Sequence, residues 1–444
     1  MKILKFWWTS LWNFEMINKS SEIILKAKWN EDVIVVVSAM SGVTNLLIEL
    51  SEFALSWDKQ KISENLLFIR EKHLEVLRQK TDWKNIKQIE DEINEIIKNL
   101  EIILDSIFLL KQLSNRNKAV ILYFWEILSS KLLSYFIKEK WIFSKSYLSR
   151  DYLVSSWKYL DWDCDIIESK KILKKFMENV DLKNEIPVFT WFWWWNKWDV
   201  YLFDRWWSDY VATLLWWISN ASCVEIWTDT NWVMSADPRK VDFPIIWNEL
   251  DYEVASEFAL SGAKILHPKT LSPVQEKNIP VYIKNTFFEN SSWTKICKID
   301  WEKWLKWVNI SSKWVILTFI DPSMIWAAWF VYSVIKILEN ENVPIDVMAT
   351  TETSFSISIC EKYFSQELVE KLQNMKNQFK LVIEKDVCKI SIVWDSINTH
   401  SILECIDEIL MISKWAYNKC LTIYAKSDNP DRLLRHLHKN LFER

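Results

Sequence analysis

Along the first 230 residues, apolar positions come in short runs separated by stretches of helical spacing. Residues 2–6 form a compact apolar run and Val33 to Val37 an unbroken β-branched one, and both predict buried strands. Between them, residues 13–28 place Phe14, Ile17, Ile24 and Leu25 on one side of a helix. Residues 58–114 are charged, helical in period and almost free of turn residues, which predicts a helical insertion with solvated faces. Strand patterns return at Ala119–Phe124, Ile186–Phe189, Val200–Phe203 and Cys223–Trp227, alternating with helical patterns over 126–139 and 208–219. Such alternation predicts an α/β domain, a mostly parallel sheet sandwiched by helices. In sheets of this kind, ligands sit beyond the carboxyl ends of the strands. The pattern changes near residues 290–308, so the first domain is expected over 1–295, with its insertion at 58–114. Two strand–helix–strand units follow, over 309–380 and 386–444, and predict paired α+β modules that bind effectors or mediate dimers.

Composition changes this picture in one respect. The 444 residues include 31 tryptophans and 2 glycines. A chain of this length carries roughly 30 glycines at average usage, and the two counts together come close to that. The tryptophans stand where a backbone needs glycine. Lys5-Phe6-Trp7-Trp8-Thr9-Ser10, Thr190-Trp191-Phe192-Trp193-Trp194-Trp195 and Asp204-Arg205-Trp206-Trp207-Ser208-Asp209 each follow a strand-like run. Glycine serves there because it tolerates positive φ and lets a ligand reach the main chain. Some bacterial lineages read the codon UGA as glycine where another common code reads tryptophan. The expectation is that most tryptophans here are glycine in the cell. Trp227, inside the strand-like Val224-Glu225-Ile226-Trp227, fits as a genuine aromatic. An aromatic platform for bases or sugars would space its rings on one face beside a basic groove, and the chain has neither.

Net charge of −4 gives no electrostatic case for nucleic acid or an anionic membrane surface. The seven cysteines are scattered without a CxxC pair, as expected of free thiols in a reducing cytosol. The five histidines are dispersed, so no protein-built metal site is expected. The apolar runs are too short for a membrane span. The first strand runs straight into a polar loop, unlike a signal peptide. A soluble, cytoplasmic protein is expected.

With glycine restored, residues 5–10 read KFGGTS: a strand, a glycine loop and a helix start. Free backbone N–H groups in such a loop cradle phosphate, and Lys5 can bridge phosphates as a compact cation. Lys5 as an ordinary surface lysine is the competing reading. Residues 188–213 become VFTGFGGGNKGDVYLFDRGGSDYVAT, two glycine loops around a hairpin-like segment. Arg205 can fork onto a carboxylate. Ser208 and Asp209 stand at a helix start, where they serve either as caps or as groups that orient a substrate or a lysine.

KFWWTS, VVVSAMSGVTN, YFWEILSS, FTWFWWWNKWD, DRWWSDYVATLL, EIWTDTNWVMSADPRKV, ASEFALSGAKILHPKTL and IDVMATTETSFSISI, read with glycine for tryptophan, resemble the aspartate kinase family in order along nearly the whole chain. The resemblance implies the amino-acid-kinase fold followed by two ACT modules, and transfer of the ATP γ-phosphoryl group to the β-carboxylate of L-aspartate. That reaction gives 4-phospho-L-aspartate, the entry to lysine, threonine and methionine. It also implies roles. Lys5, Asp209 and Lys264 would be catalytic. Thr44, Glu126, Arg205 and Ser208 would bind aspartate, with Glu126 on the ammonium and Arg205 on the α-carboxylate. Trp7, Trp8, Thr9, Ser10, Thr228, Asp229, Met234 and Arg239 would join Lys5 and Lys264 around ATP, with Mg2+ carried by the nucleotide. Met324, Trp329, Phe330, Asp346, Thr351 and Glu352 would line an effector pocket, typically for lysine. Homodimers or higher homo-oligomers through the ACT modules are implied. No fused homoserine dehydrogenase is expected, since the sequence ends just after the second small unit.

Three positions depart from the family pattern: Ile127 replaces an arginine, Met234 a tyrosine and Asp204 a glycine. His267, before Pro268, is expected to be structural. Another amino-acid kinase, or an inactive effector-binding protein, are the alternatives; the charges at Lys5, Glu126, Arg205, Asp209 and Lys264 weigh against the second.

Overall fold

The computed structural model describes the chain except for residues 41, 57, 80–85, 155–164, 191–193, 196–198, 201–206, 231–232, 261–265, 267, 300–305, 322–327, 376–378, 395–398, 415–419 and 443–444. The chain divides into two compact units. One comprises Met1–Val233, Trp247–Ser256 and Ile265–Ile299; the other comprises Met234–Ile246, Glu257–Lys264 and Asp300–Arg444.

The first unit is built on an eight-stranded sheet. Its spatial order is Glu249–Leu250, Thr294–Ile296, Val281–Asn285, Cys223–Thr228, Lys2–Phe6, Val33–Val37, Glu185–Phe189 and Phe143–Tyr147. From Val281–Asn285 to Phe143–Tyr147 every neighbouring pair is parallel. Val33–Val37 and Cys223–Thr228 are buried at every position, because helices cover both faces of a parallel sheet. The helix Phe14–Asn30 starts where the Asn13 side chain accepts the Met16 N–H at 2.9 Å. After the helix Val43–Ser56, the insertion folds as the helices Lys59–Arg78 and Ile86–Leu110, the last burying Ile89, Ile93, Ile96, Leu100, Leu104 and Ile107 along one stripe.

Residues 119–124 are not a strand. They lie in the helix Asn115–Lys138, with Ile121, Leu122, Tyr123 and Phe124 all buried. A helix enclosed on all sides is continuously apolar, and a short apolar run then looks the same in either conformation. The same enclosure explains why Val120–Lys138 is long and apolar enough to cross a membrane: 83% of that stretch is buried inside the protein. The strand Phe143–Tyr147 lies at the sheet edge and alternates polar residues, so its pattern is faint. Trp194–Trp195 pairs antiparallel with Asp199–Val200, the hairpin expected there; residues 201–203 lie outside the described residues.

The second unit contains a six-stranded antiparallel sheet in the order Met348–Thr350, Ser354–Cys360, Lys306–Ile320, Lys380–Trp394, Cys420–Lys426 and Glu408–Lys414. Its two 15-residue strands each serve two cores. Val315, Leu317 and Phe319 pack with Phe330, Val334 and Leu338 of the helix Ala328–Asn340. Val308 and Ile310, earlier on the same strand, pack instead with Ile390, Ile392, Leu421 and Leu434, the last from the helix Pro430–Phe442. The first small core is thus nested, along the chain, inside the second. The pairing shifts register between Ser311 and Trp314, where one half meets the other, and Lys313 there has φ 69°. The observed architecture is the expected one, an α/β parallel sheet flanked by helices plus two α+β modules.

Candidate active site

Parallel strands leave their sheet at one end, and five exits meet there. Phe6 leads into the turn Trp8–Leu11, Val37 into Ser38, Phe189 into Thr190, Thr228 into Asp229 and Asn285 into Thr286. The exits are tied across the sheet: Trp7 N–H donates to Trp227 O at 2.9 Å, Ser38 N–H to Phe6 O at 3.1 Å, and Thr286 N–H to Thr228 O at 2.9 Å. Buried polar side chains concentrate at the same end, namely Lys5, Thr9, Ser10, Thr190, Thr228, Asn285 and Thr286. Burying so many polar groups is unfavourable unless they are hydrogen-bonded.

Most of the bonds are present. Ser10 shares a 2.7 Å bond with the Thr286 hydroxyl, and its carbonyl accepts from Ser20 at 2.8 Å. Ser10 therefore fastens the loop. The Thr9 hydroxyl is buried with no hydrogen-bond partner among the described residues, so it is placed to donate to an incoming acceptor. Lys5 is 1% exposed, and its Nζ lies 4.6 Å from the centroid of the Trp7 ring. Thr228 donates to Asp229 Oδ1 at 3.1 Å, and Asn285 Nδ2 donates to the Asp229 carbonyl at 3.2 Å. Glu126 is fully buried on the helix Asn115–Lys138, which packs on the strands Val33–Val37 and Glu185–Phe189. Its Oε1 accepts the indole N–H of Trp125 at 2.9 Å. Beside it, burial pushes the Tyr123 phenol well above its ordinary range despite the Arg150 guanidinium 4.7 Å from its ring.

Of the site residues read from sequence, Lys5, Trp7, Thr9, Ser10, Thr228 and Asp229 come together at the strand exits, with Trp8 half-exposed beside them. Thr44 lies in the first turn of Val43–Ser56, and Ser208 and Asp209 in the first turn of Trp207–Ser219. Arg205, Lys264 and Met324, with Asp204 and His267, lie outside the described residues. Met234 and Arg239 belong to the second unit. Arg239 forks onto Asp237 at 3.0 and 2.7 Å and holds that carboxyl below its usual range. Their segment is bound within that unit, through Ser235 to His438 Nε2 at 2.9 Å and Lys240 to Asp431 at 2.8 Å.

Sequence reasoning passed over Thr190, Asn285 and Thr286. Thr190 directly follows the strand Glu185–Phe189, and Asn285 and Thr286 follow Lys284 at the end of Val281–Asn285; polar residues are ordinary at strand ends, so nothing local set these apart. It also passed over Lys72, on the helix Lys59–Arg78, whose Nζ lies 3.6 Å from where a Cβ on Gly42 would be. Gly42 has φ +83°, as a tight turn beyond the strand Val33–Val37 requires.

In the second unit Phe330 is fully buried against Phe319 and Phe379, a core position. Trp329 is more than half exposed, and Thr351 and Glu352 are exposed beside the strand Met348–Thr350. Asp346 accepts from Lys389 Nζ at 2.6 Å and from the Tyr424 hydroxyl. Burial, then the Asp346 charge, push the Tyr424 phenol far above its ordinary range. Among the described residues no group of three His, Cys, Asp or Glu is placed to hold a metal ion, and the six described cysteines are free.

Comparison with known proteins agrees with this geometry. The chain is 28% identical over its whole length to a bifunctional aspartokinase/homoserine dehydrogenase of Buchnera aphidicola, of which it spans 56%. It is 32% identical over 66% of its length to a chloroplastic bifunctional protein of Arabidopsis thaliana, of which it spans 32%. It is thus about half the length, or less, of these relatives. It is 24% identical to lysine-sensitive aspartokinase 3 of Escherichia coli, with 99% of each chain covered. The crystal structure of that organism's aspartokinase III with aspartate and ADP superposes over 100% of both chains, with TM-score 0.86 at 23% identity, a likeness of fold. The model of the amino acid kinase family matches residues 9–285, well over half of the chain, and the chain belongs to that family.

Proposed function

We propose that the chain is an aspartate kinase, transferring the ATP γ-phosphoryl group to the β-carboxylate of L-aspartate to give 4-phospho-L-aspartate and ADP. The observation that carries the reading is the buried Lys5 near the end of the strand Lys2–Phe6, where the parallel strands end and the loop that follows is tied to the neighbouring strand through Trp7. The likeness to aspartokinases over the whole chain supports it.

The chemistry suits these residues. An aspartate β-carboxylate has a reference pKa of about 3.9 and is ionised near neutrality, so the acceptor needs no general base. Transfer then rests on positioning and on neutralising the charge spread over the phosphoryl oxygens. Lys5 supplies an ammonium group, and the main-chain N–H groups of Trp8 and Thr9 and the Thr9 hydroxyl supply donors. Thr228 and Asp229 hold the nucleotide. Thr44, Ser208 and Arg205 orient aspartate, Glu126 receives its ammonium, and Asp209 orients Lys5 or the substrate amine. Mg2+ carried by the nucleotide would shield its phosphates.

The catalytic domain is taken as 1–295 and the regulatory modules as 309–380 and 386–444. The modules take an amino-acid effector, lysine in our reading, and join copies of the chain into homo-oligomers in the cytoplasm. A lysine complex is known for E. coli aspartokinase III. The product would lead to lysine, threonine and methionine. An acyl-phosphate assay with hydroxylamine trapping tests the activity. Trapped product with aspartate and ATP, and none with glutamate or with nucleoside monophosphates, is the expected result; turnover of glutamate instead would overturn it.

A further inference from the structure

We propose that the codons read as tryptophan at positions 7, 125 and 141, with most of the others, are decoded as glycine in the organism that makes this protein, and that an indole at position 7 would obstruct the loop beside Lys5. The effect of that indole on nucleotide binding rests on the kinase reading; the decoding does not.

Three observations converge. The first lies outside any site. Trp141 follows the helix Asn115–Lys138, donates its N–H to Lys138 O at 3.0 Å, has φ 70° and is 94% exposed. That is the left-handed position beyond a helix end which glycine commonly occupies. A β-carbon there costs about 1–2 kcal/mol, and an indole in open water recovers none of it. The second is the exposure of Trp8, Trp12, Trp29, Trp293 and Trp329, all 45% or more. Indoles contribute by burying area, and these bury little.

The third observation is at the strand exits. Lys5 and Glu126 are each engaged by an indole from a tryptophan close by in sequence. Trp7 is 8% exposed and lies over the Lys5 ammonium at 4.6 Å; the Trp125 N–H takes a Glu126 oxygen at 2.9 Å. An indole face attracts an ammonium and so competes directly with a phosphate for it. An indole N–H likewise competes with a substrate ammonium for the carboxylate. With glycine at 7 and 125 neither indole competes for these two charges, and the main-chain N–H groups of Trp8 and Thr9 gain access to an anion. Trp227 is the contrasting case. It is buried, stacks on Phe6 at 6.1 Å and donates to Glu225 at 3.2 Å, as a genuine core indole does.

The test starts with protein isolated from the source organism. Trypsin releases residues 6–19, 119–131 and 141–145, which carry positions 7, 125 and 141. Glycine masses at all three are expected; tryptophan masses there overturn the decoding. The second arm compares full-length protein made with glycine at the UGA positions against the same protein with tryptophan restored at position 7 alone. Restoring that indole is expected to weaken ADP binding about 100-fold, near 2.7 kcal/mol, with the thermal midpoint of each form recorded. Equal ADP affinity in two folded forms overturns the obstruction. A glycine form that binds neither ADP nor aspartate would instead remove the kinase reading and leave the peptide masses to decide the decoding.

Discussion

The two sheets of this protein differ in where they bury polar groups. In the parallel sheet, Glu225 is buried within a strand and answered by Lys284 at 2.9 Å and Lys2 at 3.3 Å, while Lys5, Thr9, Ser10, Thr190, Thr228, Asn285 and Thr286 are buried where the strands end. In the antiparallel sheet, the buried charge sits within the strands and is answered by the chain itself: Lys389, 9% exposed, holds Asp346, which also accepts from Tyr424. A parallel sheet brings all its carboxyl ends to one side, so loop residues far apart in sequence face one volume. An antiparallel sheet sends alternate ends to opposite sides, and Lys389 inside it is answered from the segment just before the edge strand Met348–Thr350. The first arrangement gathers polar groups at one end, where we propose that a ligand binds; the second answers its charge within the fold.

Four measurements would break or sharpen this contrast. Lys5→Met, in the glycine-decoded protein, should lower kcat by about 1,000-fold, roughly 4 kcal/mol of lost electrostatic stabilisation, with little change in thermal midpoint. A large loss of stability with activity retained would make Lys5 a structural group. Glu126→Gln should raise KM for aspartate by about 100-fold, the loss of a charge-assisted bond, and leave KM for ATP within a few-fold. A matching rise in both would place Glu126 outside the substrate subsite.

His73, in the insertion, tests charge that neither sheet manages. It is fully buried, its Nδ1 faces Ile69 O at 2.7 Å, and burial lowers its pKa to about 4. Unfolded histidine titrates near 6.5, so the unfolded chain takes up the proton first. The neutral histidine's contribution is complete above about pH 6.5 and falls as pH drops toward about 4, by on the order of 3 kcal/mol. Urea unfolding across that window should show the slope, and His73→Leu should flatten it; an unchanged slope would assign acid sensitivity elsewhere. The smallest effect is expected in the second unit. Lys389→Met leaves the Asp346 carboxylate without its ammonium and should cost about 1–3 kcal/mol of stability, with effector-free turnover unchanged. A rise in stability would mean that the pair is held at a net cost, as some buried ion pairs are.

Much of the fold was legible because its cues are local. The β-branched run Val33 to Val37, the stripe on residues 14–30 and the long helices of the insertion each announce themselves within one window. The run at 119–124 did not, because complete enclosure erases the difference between periods of 2 and 3.6. Phe143–Tyr147 did not either, because an edge strand needs few apolar residues. Candidate chemistry was legible where a motif is contiguous, as at Lys5–Ser10. Thr190, Asn285, Thr286 and Lys72 were not, since each acquires its place only through a neighbour more than 25 residues away in sequence.

The order of residues by itself determined the alternation of strands and helices, the two-part organisation and the glycine-like loops, because periodicity, β-branching and turn chemistry act over a few residues. Only the folded chain decided that Ser10 fastens a loop to Thr286, that Glu126 is enclosed, that the first small core is nested inside the second, and that Lys389 already satisfies Asp346. These depend on which distant segments share a sheet edge or a helix face, and water is excluded from a charge by the whole assembly of its neighbours, which no single stretch of sequence contains.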